Sequence, residues 1–207
     1  MGRDRRDKRE LILREAIKVF GEKGYAGGSL EEIAEQVGLT KAAIYYYFRN
    51  KQELYNSIFR EKVEGIQFNL TGEPKRDLRE YIRQISKLFR DRSFAKIFAS
   101  ELSLGMINLT DETLKKVARL LQTLSEILYP WREVNPFFVQ TLIVSSTITY
   151  YNTLEVRERI SRLLPCRRLD PHFNLRQELE RIIFNYLEQF PKVERGKGVG
   201  KSFKKER

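Results

Sequence analysis

One cysteine (Cys166), one histidine (His172), one tryptophan and two methionines are all that the 207 residues contain of those four types. A lone cysteine cannot close an internal disulfide. With a single histidine beside it, zinc sites and Cys–His or Ser–His pairs lack the parts they need. Carboxylates such as Glu101 have no second acid at a diagnostic spacing, so no enzyme and no cofactor are expected. Equally absent is an apolar run approaching the roughly 20 residues of a membrane span, or one behind a basic start. A cytoplasmic protein with no membrane partner is the expectation. The segment GKGVGKS at 196–202 has three residues between Gly196 and Gly200 where a phosphate-binding P-loop needs four, with no strand before it. It reads as part of a basic, flexible tail.

What the chain does have is positive charge. Its net charge is +11. Residues 192–207 hold seven Lys or Arg against two Glu, and residues 1–51 hold eleven basic against eight acidic, so both ends favour a polyanion. The seventeen residues from Gln36 to Gln52 (QVGLTKAAIYYYFRNKQ) contain no acid, in a chain that is 32% charged, and carry Lys41, Arg49, Lys51 and three consecutive tyrosines. A helix there turns Ile44, Tyr47 and Phe48 inward at i, i+3 and i+4, which leaves Lys41, Ala42 and Tyr45 on another face, free to meet a partner.

Upstream, Leu30, Ile33, Ala34 and Val37 stripe one side of a short helix. Ser29 and Glu32 have the spacing of a capping box that fixes its start. Gly38 tolerates positive φ, so the chain can pass from that helix to the next within three or four residues, and Thr40 can cap the second. Before both, Ile12, Ala16, Val19 and Phe20 stripe a first helix expected from near residue 7 to Gly24. Asn50, with Glu53 three residues on, starts a fourth helix whose amides and dipole would add to the charge of Lys51.

The stretch SLEEIAEQVGLTKAAIYYYFRNKQEL resembles the DNA-binding half of the TetR (tetracycline-repressor-like) family of transcriptional regulators, over about Glu10 to Leu54. The shared pattern is Ile33, Ala34, Gly38, Tyr45, Phe48 and Lys51. The resemblance implies that Ser29 and Leu30 approach the DNA backbone, that Thr40, Lys41, Ala42 and Tyr45 lie at the groove, and that Tyr46 and Lys51 meet phosphate. Ala42 departs from the glycine often found there; its methyl either holds the helix off the bases or touches a thymine methyl. For Tyr46, packing on the first helix is the competing reading, and Arg49 reads as solvated.

Beyond Leu54 the periodicity is helical, with breaks at 72–74, 91–93, 108–111, 130–136 and 165–171. LIVSSTITYY at 142–151 is rich in β-branched residues, yet lies in a run from Pro136 to Leu164 without a turn signal and is read as one helix. That helix and the last one, with Leu175, Leu179, Ile182, Ile183, Tyr186, Leu187 and Phe190, are apolar on more than one face. A second copy is the expected cover, as a four-helix bundle between protomers. The resemblance implies the same homodimer. It also implies a small-molecule effector, of apolar character, bound among the middle helices so as to shift the linking helix (Lys51 to about Asn69). Candidate lining residues are Phe98, Leu102, Leu121, Trp131, Tyr150 and Tyr151, with Glu101 and Thr147 as polar anchors.

The expected fold is thus all-α, about nine helices: a helix-turn-helix DNA-binding domain (1–51), a larger helical effector-binding and dimerisation domain (52–191) and a basic tail (192–207). The expected function is a dimeric, sequence-specific transcriptional regulator, a repressor released from a palindromic operator by its effector. The competing reading is a DNA-bound structural or adaptor protein without an effector.

Overall fold

The computed structural model describes residues 2–164, 166 and 168–193, and these form ten α-helices and no strand. The first three are α1 (Gly2–Gly27), α2 (Leu30–Gln36) and α3 (Lys41–Tyr47). They enclose a small core of Ile12, Ala16, Val19, Phe20, Leu30, Ile33, Ala34, Ile44 and Phe48, all buried. Each start has a local cause. Ser29 Oγ accepts the N–H of Glu32 (3.1 Å), and Thr40 Oγ1 accepts that of Ala43 (3.2 Å). Between them Gly38 takes φ 67°, a left-handed turn that a side chain would oppose. The capping box is only half formed, because the Glu32 carboxylate pairs with Lys23 on α1 at 2.7 Å. The first helix also starts earlier than its periodicity suggests, at Gly2, and runs past a non-helical Gly24 (φ 69°).

Helix α4 (Lys51–Glu64) is capped by Asn50, whose Oδ1 accepts the N–H of Glu53 at 2.8 Å. It ends at Gly65, a turn before Asn69. Every side chain from Leu54 to Phe59 is buried, because α4 is wedged between α1 and α7. The rest is a bundle of α5 (Pro74–Leu88), α6 (Arg92–Ser103), α7 (Asp111–Ile127), α8 (Pro136–Asn152), α9 (Leu154–Leu163) and α10 (Leu175–Leu187). Helices α5, α7 and α8 meet at one phenol: Tyr81 donates to Leu120 O (3.1 Å) or Gln140 Oε1 (2.6 Å). Helix α1 packs along α6, so it belongs to both the head and the body.

The run from Pro136 to Leu164 is two helices, not one. At Thr153 the backbone leaves the helical region (φ −107°, ψ 12°), and the threonine hydroxyl donates to Thr149 O at 2.6 Å, a back-bond that bends helices. Arg157 holds the break, donating from Nη1 to Tyr150 O (2.7 Å) and from Nε to Pro171 O (3.0 Å). Helix α9 has no buried residue, unlike α8 before it.

Candidate nucleic-acid interface

Burying Ile44 and Phe48 fixes the rotation of α3 about its axis. Both are essentially inaccessible, and truncating either costs about 2–5 kcal/mol, so the helix cannot roll. That rotation leaves Lys41, Ala42, Tyr45 and Tyr46 exposed, with Tyr45 47% and Tyr46 64% accessible. Tyr47 is half-buried against the core and Arg49 is exposed. The four side chains that the 3.6-residue period turns outward are therefore presented together on one short helix. Thr40, as its cap, has its hydroxyl engaged with the Ala43 amide.

The electrostatics are less simple than a bare basic face. Lys41 Nζ pairs with the Glu31 carboxylate from the first turn of α2. That hydrogen bond raises the Lys41 ammonium above the ordinary lysine value and holds Glu31 below the ordinary carboxylate value. Tyr46 stands edge-on to Tyr47 (5.1 Å between ring centres), and the guanidinium of Arg5, from the first turns of α1, lies 4.8 Å from the Tyr46 ring centre. The tyrosine thus both faces outward and meets the first helix.

Lys51 sits at the first position of α4. Its Nζ donates to Ala26 O (3.1 Å) and lies 4.7 Å from the centre of the Tyr25 ring, and burial lowers its pKa. An ammonium has three donors, so this anchorage still leaves protons for an anion. Ser29 is half-buried with its hydroxyl used as a cap, and the Leu30 side chain is buried. What these two can offer a phosphate is main-chain N–H from the first turn of α2, where helical partners are lacking.

From Lys51 a row of aromatic contacts leads into the body. Tyr25 lies 4.8 Å from Tyr55 of α4, and Tyr55 donates its hydroxyl to Glu101 Oε1 of α6 at 2.8 Å. Burial, then this bond, push the Tyr55 phenol far above its usual pKa, so it stays a donor. Glu101 is fully buried and also accepts from Asn108 Nδ2 (2.8 Å). Beside it, Asn56 of α4 donates to Asn108 O (3.0 Å) and accepts the Thr110 N–H (2.8 Å). Helix α4 is therefore bolted to the segment joining α6 and α7.

The eight residues expected to line an effector cavity take different places in the body. Phe98 is packed within 5.1–6.0 Å of Phe59, Phe89 and Phe94, ring centre to ring centre. Glu101 is spent on Tyr55 and Asn108, and the Thr147 hydroxyl donates to Ile143 O within its own helix (2.6 Å). Leu102 is 46% exposed on the outside of α6. Trp131 is buried in the body beneath Lys192, whose Nζ is 5.4 Å from its ring. Tyr150 and Tyr151 are half-buried at the end of α8, where Tyr150 donates to Phe173 O (2.9 Å). Leu121 lines a surface groove of about 470 Å³ with Ala118, Phe137 and the cations Lys115 and Arg119. No group of three or more metal-ligating side chains gathers among the described residues. Two members of the site carry no signal in the sequence: Arg5, whose approach to Tyr46 spans some forty residues of chain, and Glu31, whose partner lies across the turn.

Residues 12–58 match the family model described as "Bacterial regulatory proteins, tetR family". The chain is 30% identical over 130 residues to the HTH-type transcriptional regulator RutR of Escherichia coli K12, covering 60% of this chain and 61% of that protein. It spans less than two thirds of the length of the curated relatives it matches. Among solved structures, the fatty acid degradation regulator FadR of Bacillus halodurans is similar (TM-score 0.61, 21% identity, 87% of this chain and 94% of that one). So is AibR in complex with isovaleryl coenzyme A and operator DNA (TM-score 0.56, 21% identity, 90% and 100%). At those identities the likeness is one of fold.

Proposed function

Because the chain belongs to the tetR family of bacterial regulatory proteins, to which its helix-turn-helix is matched, we propose that it works as a dimeric, sequence-specific transcriptional regulator. In this reading it is a repressor that leaves a palindromic operator when a small apolar effector binds. It acts by binding and not by catalysis. The observation that carries the reading is the outward face of α3, where Lys41, Ala42, Tyr45 and Tyr46 are exposed together while Ile44 and Phe48 anchor the helix from behind.

An α-helix fits the major groove, lysine donates to guanine O6 and N7, and tyrosine bonds phosphate through its hydroxyl. The linkage from Tyr25 through Tyr55 to Glu101 supports a coupling of the head to the body, since anything that moves Glu101 or Asn108 must move α4. An effector needs only unequal affinity for two placements of α4 to shift the balance between them. That AibR is described with both an acyl coenzyme A and operator DNA supports an effector for this chain too.

The competing reading, a DNA-bound adaptor without an effector, is favoured by the dispersal of the expected lining residues over the body. Selecting bound sites from random duplexes, then repeating with acyl and other metabolites present, tests both. A palindromic consensus whose binding a metabolite weakens supports the repressor. A consensus that no metabolite disturbs, with no ligand raising Tm, supports the adaptor. Failure to enrich any sequence rejects both.

A further inference from the structure

Four cations with described side chains stand in the first turns of α1, and three are neutralised in place. Lys8 pairs with Asp4 (3.2 Å), Arg6 with Glu10 (3.1 Å) and Arg9 with Glu61 of α4. Arg5 has no carboxylate partner among the described residues; its guanidinium is laid over the ring of Tyr46 at 4.8 Å. Both members of that pair are exposed.

We infer that Arg5 and Tyr46 together form a second phosphate-binding element of the head, gripping one DNA phosphate beside the groove that α3 enters. This rests on the DNA-binding function proposed above, and adds to it a contact from outside the matched residues 12–58. A guanidinium lying over an aromatic ring keeps its in-plane N–H donors free, so the stack positions the cation without consuming it. The Tyr46 hydroxyl is a further donor on the same pair. A phosphate oxygen pair matches the planar fork of arginine, and a tyrosine hydroxyl is a common companion in backbone contacts.

Location selects the ligand. Tyr46 neighbours Tyr45 on the exposed side of α3, so an anion held by Arg5 lies at the edge of the surface that Lys41 and Tyr45 present. The first turns of α1 thereby become part of the reading head. Such a contact would fix register on the duplex and carry no base preference.

The test uses the full chain, a selected operator duplex and a random duplex of equal length, across a salt series. Arg5→Ala should weaken both duplexes by a similar factor and reduce the slope of log K against log salt by about 0.9 for each bound protomer. Its Tm should stay that of the parent chain. Arg5→Lys, which keeps the charge, should retain the slope. Tyr46→Phe, which keeps the ring beneath Arg5, should weaken binding in the parent background and do less in the Arg5→Ala background, because one phosphate is shared. An unchanged slope and affinity for Arg5→Ala overturns the inference, as does strict additivity of the two losses, or a loss confined to the operator. If Lys41→Ala blurs operator preference while Arg5→Ala changes nothing, the proposed function stands and this inference alone falls. A parent chain that binds no duplex removes both.

Discussion

Lys41 is the cation on the outward face of α3, and it is already paired, with Glu31. Its partner Glu31 is exposed too, and an exposed pair of this kind contributes little to folding. On the proposed function its importance is for binding: lysine must exchange a carboxylate for a base edge, and that carboxylate would then face DNA phosphate. Lowering pH is a poor way to break the pair, because the hydrogen bond holds Glu31 below the usual carboxylate range. Glu31→Gln is the cleaner probe. It should tighten binding to operator and random duplex alike, several-fold, whereas Lys41→Ala should lose roughly ten- to a hundred-fold on operator and much less on random sequence. Fluorescence anisotropy on both duplexes checks this, and equal losses for Lys41→Ala would remove it from the groove. The helical period makes Lys41, Ala42 and Tyr45 legible in the sequence alone, since it depends only on neighbours three and four residues away. Glu31 is not legible there, because only the folded turn at Gly38 brings it across to Lys41.

Lys51 is a different case, where the lysine proposed to meet phosphate is also a structural one. Its ammonium ties Ala26 and Tyr25 at the end of α1 to the start of α4. Lys51→Ala should therefore show two effects at once: a salt slope smaller by about 1 for each bound protomer, and a loss of roughly 1 kcal/mol of stability, or about 2–4 °C in Tm. A reduced slope with an unchanged Tm would show that the Tyr25 contact has no energetic weight.

At the level of elements, the joint between head and body is set by how closely α1 can approach α6. A Cβ at Gly21 would lie 2.9 Å from both the Cβ and the main-chain oxygen of Ser93, at the first turn of α6. Backbone cannot give way as a flexible side chain can. Gly21→Ala should cost about 1–3 kcal/mol by thermal or urea unfolding, and should change the preferred spacing between half-sites, because α1 carries the head. Lost stability with unaltered spacing would place the strain within α6 alone. Element boundaries show where sequence reasoning reaches its limit. The caps at Ser29, Thr40 and Asn50 are legible because each acts within three residues. The break at Thr153 is not, since no glycine or proline marks it and its stabilising bond from Arg157 ends on Pro171, in the loop before α10. The expected lining residues of the effector site are spread through the body for a similar reason. Apolar spacing puts Phe98 on an inward face, but only tertiary packing decides whether that face meets a cavity or, as here, three other phenylalanines.

For the whole molecule, charge and oligomeric state decide how the head is used. The segment 192–207 contributes +5 of the net +11, and residues 194–207 lie outside those described. Deleting 192–207 should weaken random-duplex binding at low salt and leave operator preference intact. An undiminished random-duplex affinity would exclude the tail from DNA contact. The dimer is the more consequential issue. Helices α8 and α10 bury Val139, Ile143, Leu179, Ile183 and Leu187 inside the protomer, yet leave Phe138 51% and Ile182 49% exposed. Phe138 already meets Tyr186 of α10 at 5.1 Å, so the outward apolar side chains of the two helices form one continuous surface. If that surface joins two copies, each head raises the local concentration of the other at a palindrome, worth about 10²–10⁴ in affinity with no new contact. Substituting Phe138→Glu together with Ile182→Glu should then give a monomer by sedimentation, hold half-site affinity constant and lower palindrome affinity by that factor. A variant that remains dimeric would move the interface elsewhere, and a monomer that keeps full palindrome affinity would mean that each head reads DNA alone.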